Sequence, residues 1–263
     1  MIKKQAFEGL AKSYDRARPT YPHEMYNTIV QTWKENVSSE TSKPLVVDVG
    51  CGTGISTRAF YNALEGNCNI IGVEPGRDML ASAIENSPTN ILYKEGSAEA
   101  IPVDSESVDI VTAAQAAQWF NRNLFYCEVQ RILKPNGVVA IYENNRDWEN
   151  SDFLAKHEEF LEKYSVDTNT QEYYSRYYRN FPYENELVEK FKNKKTSTFL
   201  WNMKMSPTRF LEMAKTSTQV KRAIKATGVE EVDKLILKNA CEHVGADEQV
   251  DVQYNTKLYI ARK

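Results

Sequence analysis

Three glycines that alternate with other residues, Gly50, Gly52 and Gly54, are the strongest chemical signal in the sequence. They follow the apolar run PLVVDV, which is typical of a buried parallel strand, and precede the helix-like run STRAFYNALEG. Glycines at such a junction let the backbone turn sharply and let a ligand approach closely, and the start of the next helix favours anionic or dipolar groups. The pattern predicts a ligand-binding loop between a strand and a helix.

An acidic residue stands at the end of the next predicted strand. Glu74 closes the run NIIGVE, where a carboxylate can accept both hydroxyls of a ribose. Together the two features predict an adenosine-containing ligand across the carboxyl ends of the strands. The dinucleotide fingerprint G-x-G-x-x-G fits less well, because Ile55 occupies the position that this motif gives to a third glycine or alanine. A nicotinamide-dependent oxidoreductase is therefore the less favoured alternative.

The spacing D-x-G-x-G-x-G that begins at Asp48 resembles motif I of the class I S-adenosylmethionine-dependent methyltransferases. In that family the position of Glu74 holds the cofactor ribose, Ala98 in the segment GSAEAIP lies near the adenine, and Gln115 faces the methionine part. The resemblance implies S-adenosylmethionine as the cofactor and S-adenosylhomocysteine as its product. The core positions that it implies for cofactor binding are Asp48, Gly50, Gly52, Gly54, Glu74, Ser97, Ala98, Glu99, Gln115 and Trp119.

The flanks of this core resemble one branch of the family. Residues 14–22 (YDRARPTYP) are similar to the N-terminal segment of the trans-aconitate-methyltransferase-like small-molecule methyltransferases, which folds over the cofactor. The resemblance implies a lid with Tyr14 against the methionine and Arg18 near its carboxylate, which suits the planar guanidinium fork. It covers residues 7–145 well and residues 196–263 moderately.

Strand and helix patterns alternate along residues 43–145, as in a parallel sheet with helices on both faces. We therefore expect an α/β fold with a Rossmann-like, seven-stranded, mostly parallel sheet, an N-terminal helical lid and a helical insertion between strands 5 and 6. Residues 1–263 are expected to form a single class I methyltransferase domain. Its predicted parts are the lid (1–42), the cofactor-binding core (43–145), the helical insertion over the acceptor site (146–195) and the C-terminal strands and helices (196–263).

The predicted insertion offers cationic and aromatic side chains to a methyl acceptor. The candidates are Arg146, Trp148, Arg176, Tyr177 and Arg179. Because this segment should overhang the strand ends, it suggests a small-molecule acceptor that is anionic, a carboxylate being one candidate. The sulfonium cofactor already carries an activated methyl group, so in-line displacement depends mainly on alignment in a dry pocket. No residue stands out as a general base, and the catalytic residue is left unassigned.

Composition limits the partners. Thirty-three Lys and Arg against 36 Asp and Glu give a net charge of −3, without the basic excess typical of nucleic-acid-binding proteins. No apolar run reaches the ~20 residues of a membrane span, and the N-terminal residues lack the apolar stretch of a signal peptide. Four widely spaced cysteines and three histidines form no zinc-binding pattern, so we expect no metal and a cytoplasmic protein with reduced thiols.

Two further functions stay open from the sequence. One is a methyltransferase that acts on RNA or protein, for which the lysine-rich run at 190–195 (KFKNKK) is the relevant feature, although we interpret this run as a solvated helix end. The other is a non-catalytic protein that binds S-adenosylmethionine and has a closed acceptor pocket. The sequence predicts neither the acceptor nor the oligomeric state.

Overall fold

A seven-stranded sheet is the framework of the protein. The computed structural model describes residues 11–35, 37 and 43–263, except for the side chains of Lys12, Ser13 and Arg179, so much of the predicted lid (1–42) lies outside the described residues. The strand order is β3-β2-β1-β4-β5-β7-β6. The strands are β1 (Leu45–Val49), β2 (Asn69–Glu74), β3 (Leu92–Glu95), β4 (Val108–Ala114), β5 (Leu133–Arg146), β6 (Lys192–Met205) and β7 (Val250–Arg262).

All neighbouring strands from β3 to β5 are parallel, whereas β7 is antiparallel to both β5 and β6. The prediction of a seven-stranded, mostly parallel sheet is therefore confirmed. The order reverses between β1 and β4, and such a switch point leaves a crevice at the carboxyl ends of the strands.

Helices cover both faces of this sheet. The helices are α1 (Ala11–Ala17), α2 (His23–Lys34), α3 (Ile55–Ala63), α4 (Arg77–Glu85), α5 (Arg122–Ile132), α6 (Asp152–Tyr164), α7 (Tyr183–Lys190), α8 (Pro207–Lys215), α9 (Thr218–Thr227) and α10 (Val229–Glu242). Along β1, Val47 packs with α5 and α7, whereas its neighbour Val46 packs with α2 and α3. Successive side chains of a strand point to opposite faces, so a strand buried on both faces reads as one apolar run.

The helix α5 shows how local sequence places these elements. Its cap residue Asn121 accepts the backbone N–H of Leu124, and Phe125, Val129 and Ile132 repeat at helical spacing and are fully buried. Burying each such side chain contributes about 1.5–3 kcal/mol. The amphipathic stripe therefore fixes which face of the helix meets the sheet.

The predicted insertion between β5 and β6 contains α6, a 3-10 turn at Arg176–Arg179 and α7. Its bounds differ from the predicted ones, because β7 pairs with β5 as far as Arg146 and with β6 from Lys192 onward. The interpretation of the lysine-rich run as a helix end is therefore wrong for most of its residues. Lys192, Lys194 and Lys195 belong to the edge strand β6, where lysines hinder pairing with another sheet.

Within residues 11–35, 37 and 43–263, no helix has the length and apolar character that crossing a bilayer requires.

Candidate functional site

A cavity of about 800 Å³ lies at the carboxyl ends of β1, β2, β4 and β5. Its floor includes the glycine loop after β1 and Glu74 at the end of β2, and its walls include the N-terminal segment, the insertion and β7. Ligand cavities typically measure about 300–1,000 Å³. This cavity is therefore near the upper end of that range and has room for more than one small molecule.

The glycine loop presents its backbone to this cavity. Gly50, Gly52 and Gly54 have φ values of 69°, 55° and 81°, in the left-handed region that favours glycine. A Cβ atom at Gly52 would meet no atom within 4 Å, whereas one at Gly50 would lie 2.7 Å from the Cβ of Ala116. Gly52 thus leaves open space for a ligand, and Gly50 allows close packing. Gly54 precedes α3 and does not line the cavity.

Glu74 joins the glycine loop to the end of β2. Its carboxylate accepts the backbone N–H groups of Gly52 (3.0 Å) and Gly76 (2.8 Å). Burial raises the pKa of Glu74, and these two hydrogen bonds partly offset the increase. A carboxylate has about four lone-pair positions, so it can accept further donors from a ligand such as ribose. The predicted position of this residue at the cavity is therefore compatible with its predicted role.

Asp48 lies beneath the loop and does not line the cavity. Its carboxylate accepts the hydroxyls of Thr57 (2.7 Å) in α3 and Thr112 (2.8 Å) in β4. Burial raises the pKa of Asp48 to about 6 despite these two bonds. The carboxylate therefore connects β1, α3 and β4 under the loop, and the structure gives it no direct path to a ligand.

The loops after β3 and β4 form the next part of the wall. Ser97, Ala98 and Glu99 line the cavity, and Glu99 accepts the backbone N–H of Asn121 at 2.8 Å. This bond attaches the segment after β3 to the start of α5.

Gln115 and Trp119 line the wall after β4. Gln115 has a φ of 50° and donates from Nε2 to the backbone carbonyl of Asn144 at 2.6 Å. Trp119 is 38% exposed and stands at the rim. The structure thus brings both predicted residues to the cavity, and Gln115 also connects the ends of β4 and β5.

The N-terminal segment closes one side of the cavity. Tyr14 and Arg18 both line it, and the Arg18 guanidinium lies 5.0 Å from the centre of the Tyr14 ring. Arg18 also donates from Nε to the hydroxyl of Thr216 (2.7 Å), just after α8. Asp15 forms an ion pair with Arg58 (2.5 Å), which in turn donates to the backbone carbonyl of Thr53 in the glycine loop. The lid helix α1 is therefore tied to the loop.

Arg146 lines the opposite part of the cavity, here called the acceptor half and defined by Arg146, Trp148, Tyr174, Arg176 and Tyr177. Its guanidinium forms an ion pair with Glu158 (2.8 Å), and Glu158 also accepts the hydroxyl of Tyr174 (2.7 Å). Burial alone would raise the pKa of Glu158, but Arg146, His157 and Tyr174 hold it at about 2. The charge of Arg146 is therefore largely compensated.

The second arginine of the acceptor half is paired in the same way. Arg176 forms an ion pair with Glu162 (2.6 Å) and lies 4.9 Å from the ring centre of Trp148. Tyr177 meets Trp148 edge-on, with ring centres 5.7 Å apart. Arg146 and Arg176 both face the cavity rather than bulk solvent, as the anionic-acceptor hypothesis requires, but each already has a carboxylate partner. The predicted Arg179 has its side chain outside the described structure.

Tyr174 of the acceptor half and its partner Glu158, which also lines the cavity, are poor proton acceptors near neutral pH. Glu158 has a pKa of about 2, so its ionised carboxylate is a weak base, and burial raises the pKa of the Tyr174 phenol. His157 does not line the cavity, and burial lowers its pKa to about 3. Among the described residues there is also no His, Cys, Asp and Glu group that could hold a metal ion.

Sequence reasoning missed the contribution of β7. Asn255, Lys257 and Tyr259 line the cavity and alternate along that strand, so their side chains share one face. The alternation is visible in the sequence run VDVQYNTKLYI. The position of β7 between β5 and β6, which brings this face to the cavity, has no local sequence signal.

Comparisons with known proteins match the part of the chain that contains the glycine loop and Glu74. Residues 47–141 match the family model described as "Methyltransferase domain". A Dictyostelium discoideum protein that carries the name methyltransferase is 35% identical over 136 residues, which are 52% of this chain and 48% of that protein. A malonyl-[acyl-carrier protein] O-methyltransferase of a Marinomonas species is 31% identical over 135 residues, 50% of each chain. The chain thus matches about half the length of these relatives.

Solved structures show the same fold over nearly the whole chain. A structure from Anaeromyxobacter dehalogenans, described as a type II methyltransferase, superposes with a TM-score of 0.67 at 20% identity, covering 93% of this chain and 97% of that one. Another from Anabaena variabilis, described as a methyltransferase from an antibiotic biosynthesis pathway, has a TM-score of 0.59 at 16% identity and covers 93% and 98%.

The fold, the glycine loop with its acidic strand end and the matching domain indicate a domain of the S-adenosylmethionine-dependent methyltransferase type. Residues 47–141 carry this methyltransferase domain. The prediction of a methyltransferase domain is confirmed for residues 47–141, and this match argues against the nicotinamide-dependent oxidoreductase alternative. The assignment to the trans-aconitate-methyltransferase-like branch stays a prediction.

Proposed function

We propose that this protein transfers a methyl group from S-adenosylmethionine to a small-molecule acceptor. One observation supports the proposal most directly. The cofactor positions at the glycine loop and the acceptor half under the insertion line the same cavity. When bound, S-adenosylmethionine supplies an activated methyl group. The protein must then bind two reactants side by side, and the cavity volume of about 800 Å³ is compatible with that requirement.

The residues at the cofactor end have separate roles in this proposal. Gly52 leaves room for the cofactor, Glu74 accepts hydrogen bonds from the ribose hydroxyls, and the segment around Ala98 contacts the adenine. Arg18 and Tyr14 hold the methionine end from the lid side. Asp48 is assigned a different role from the expected one, because its contacts support the loop from below.

The rate enhancement is proposed to come from orientation and exclusion of water. The Glu158 carboxylate and the Tyr174 phenol are unsuited to accept a proton near neutral pH. We therefore assign these two residues to positioning the acceptor. Fixing two reactants in attack geometry can contribute about 7–11 kcal/mol in favourable systems. An acceptor that is already ionised needs no base.

The proposal also includes a cytoplasmic location, which is expected for a protein with free thiols.

Labelled methyl transfer tests the proposed function. The protein would be incubated with S-adenosylmethionine labelled in the methyl group and, in parallel, with a metabolite extract, total RNA and a protein fraction. We expect label in the metabolite arm, identified by mass spectrometry, and none with the Gly52→Val variant. Label confined to RNA or protein, or tight binding of S-adenosylhomocysteine without any transfer, would contradict a small-molecule methyltransferase.

A further inference from the structure

One face of β7 extends the cavity beyond the acceptor half. Asn255, Lys257 and Tyr259 alternate along this strand and all line the cavity; we call these three residues the β7 arm. Lys257 lies three residues along β7 from Tyr254, which pairs with Arg146 at the end of β5. At about 3.4 Å per residue, Lys257 is about 10 Å along the strand from the level of Arg146. Tyr142, the neighbour of Glu143 in β5, pairs with Ala114 at the end of β4, so Lys257 lies almost level with the carboxyl end of β4. The arm thus lies beside the strand ends, two strands or about 10 Å across the sheet from β4.

Lys257 differs from the arginines of the acceptor half in its charge balance. Arg146 and Arg176 form ion pairs with Glu158 and Glu162. Lys257 is exposed at the cavity and forms no ion pair with any described carboxylate. A cation without an ion-pair partner attracts an anionic ligand more strongly than a paired one, whereas a paired arginine must first lose its partner.

Glu143 is the acidic residue opposite Lys257, and the two side chains form no ion pair. Glu143 lies opposite Lys257 in the β5–β7 register and is buried. Its carboxylate accepts the hydroxyl of Tyr183 at 3.3 Å and forms no ion pair with Lys257. The ammonium group is therefore available on the cavity side.

The walls of the arm are apolar and aromatic. Tyr259 contacts Tyr183 with ring centres 5.6 Å apart, and Phe181 of the insertion lines the same cavity. At the Asn255 end of the arm, Leu200 of the edge strand β6 pairs with Asn255 and is 72% exposed. Directly paired residues of an antiparallel ladder have side chains on the same face, so Leu200 continues this surface outward. An apolar stretch of ligand fits these walls better than a highly charged one.

We propose that the β7 arm binds the remote end of the acceptor, with Lys257 holding an anionic group. The acceptor would be an extended molecule whose nucleophile lies at the strand ends and whose carboxylate or phosphate lies beyond an apolar spacer. This inference rests on the proposed function and assigns a substrate class to the same cavity. It moves the anion-binding role from the paired arginines to a lysine that the sequence did not indicate.

Equilibrium binding to the protein saturated with S-adenosylhomocysteine tests the arm. The probes are octanoate, octyl phosphate and 1-octanol, which share one chain length and differ in the end group. We expect an anion to bind at least fivefold more tightly than 1-octanol by calorimetry, and the comparison of octanoate with octyl phosphate identifies which anion is preferred. Lys257→Gln should abolish the preference, and Lys257→Arg should restore it to within about threefold.

A matched control is Lys195→Gln, which removes an exposed lysine of β6 that does not line the cavity. This variant should bind all three probes as the unaltered protein does, and S-adenosylhomocysteine should bind every variant equally. Three outcomes would contradict the proposed role of the β7 arm. They are equal binding of 1-octanol and the anions, an anion preference that survives Lys257→Gln, and no binding of any probe. Failure of the unaltered protein to bind S-adenosylhomocysteine would instead overturn the proposed function.

Discussion

The contact between Gly52 and Glu74 links two features that are separate in the sequence. The Glu74 carboxylate accepts the Gly52 N–H at 3.0 Å, so the acidic strand end also holds the glycine loop. Asp48 supports the same loop from below through Thr57 and Thr112. Hydrogen bonds to a charged group contribute about 1.5–3 kcal/mol each. The loop is therefore set in shape before a ligand enters, which reduces the ordering cost of binding.

Gly52→Val tests whether the open space at this glycine is the ligand site. The new side chain would occupy that space, and we expect binding of S-adenosylhomocysteine to be lost in calorimetry. Gly228→Val is the matched control, because Gly228 also has a positive φ (95°) and a Cβ atom there would meet no atom within 4 Å, but Gly228 does not line the cavity. Both variants place a β-branched residue at a positive φ, so unchanged affinity in Gly52→Val would show that the site is misplaced.

Glu74→Ala should weaken binding of S-adenosylhomocysteine by about 1–3 kcal/mol, because the ligand loses hydrogen bonds to a charged partner. Glu95 is the matched control, since it ends β3 in register with Glu74 but does not line the cavity. Glu95→Ala should leave the dissociation constant within about twofold. Equal losses in the two variants would point to a general charge effect and contradict a ribose contact.

Among the helices, α1 is the one whose attachment bears most directly on access to the cavity. Its Asp15 pairs with Arg58 of α3, and Arg18 just after it bonds Thr216 near the end of α8. These contacts connect the predicted lid to the glycine loop through Arg58 and to α8, and both the loop and α8 contribute residues to the cavity wall. Such a short helix at the cavity can open without disturbing the core, since local opening costs less than global unfolding.

Asp15→Ala should therefore increase the dissociation rate of S-adenosylhomocysteine severalfold, measured by stopped-flow displacement, with little change in the urea midpoint. Asp233→Ala is a suitable control, because it breaks a comparable ion pair with Lys215 between α8 and α10, outside the cavity lining. An increase of the same size in both variants would show that α1 has no specific gating role.

Elements with buried apolar patterns could be predicted well, and those defined by distant pairing could not. The strands β1 and β4 are buried on both faces, so their apolar runs mark them directly. The edge strand β6 buries only Met205, and its first residues were mistaken for a helix end. Lys257 lies more than a hundred positions from Arg146, and only the insertion of β7 beside β5 brings them to one cavity.

For the molecule as a whole, buried carboxylates set the pH dependence of stability in opposite directions. The pKa of Glu158 is lowered to about 2 from 4.5, so its stabilising contribution is present above about pH 4.5 and is lost as pH falls toward 2. The pKa of Asp48 is raised from 3.8 to about 6, so its contribution decreases as pH rises through that interval. These two carboxylates therefore act in opposite directions on the acid side of neutrality.

Glu158→Gln should flatten the loss of stability between pH 4.5 and 2 and cost about 3–5 kcal/mol at neutral pH, because Arg146 loses its ion pair with a buried carboxylate. The free energy of unfolding would be measured in urea across this pH range. Glu162→Gln breaks the more exposed pair with Arg176 and should cost only about 0–1 kcal/mol. An unchanged acid limb in Glu158→Gln would mean that other carboxylates control it.

The place of β7 between β5 and β6 also constrains the order of assembly during synthesis. β6 has β7 as its only neighbour in the described sheet, and β7 follows every other described strand along the chain. A nascent polypeptide that has left the ribosome only as far as about residue 245 therefore exposes one flank of β5 and all of β6, and unpaired flanks invite aggregation. The paired strands β5 and β7 also form part of the cavity wall. Neither the complete sheet nor the complete cavity can therefore form until β7 has been synthesised as far as residue 262.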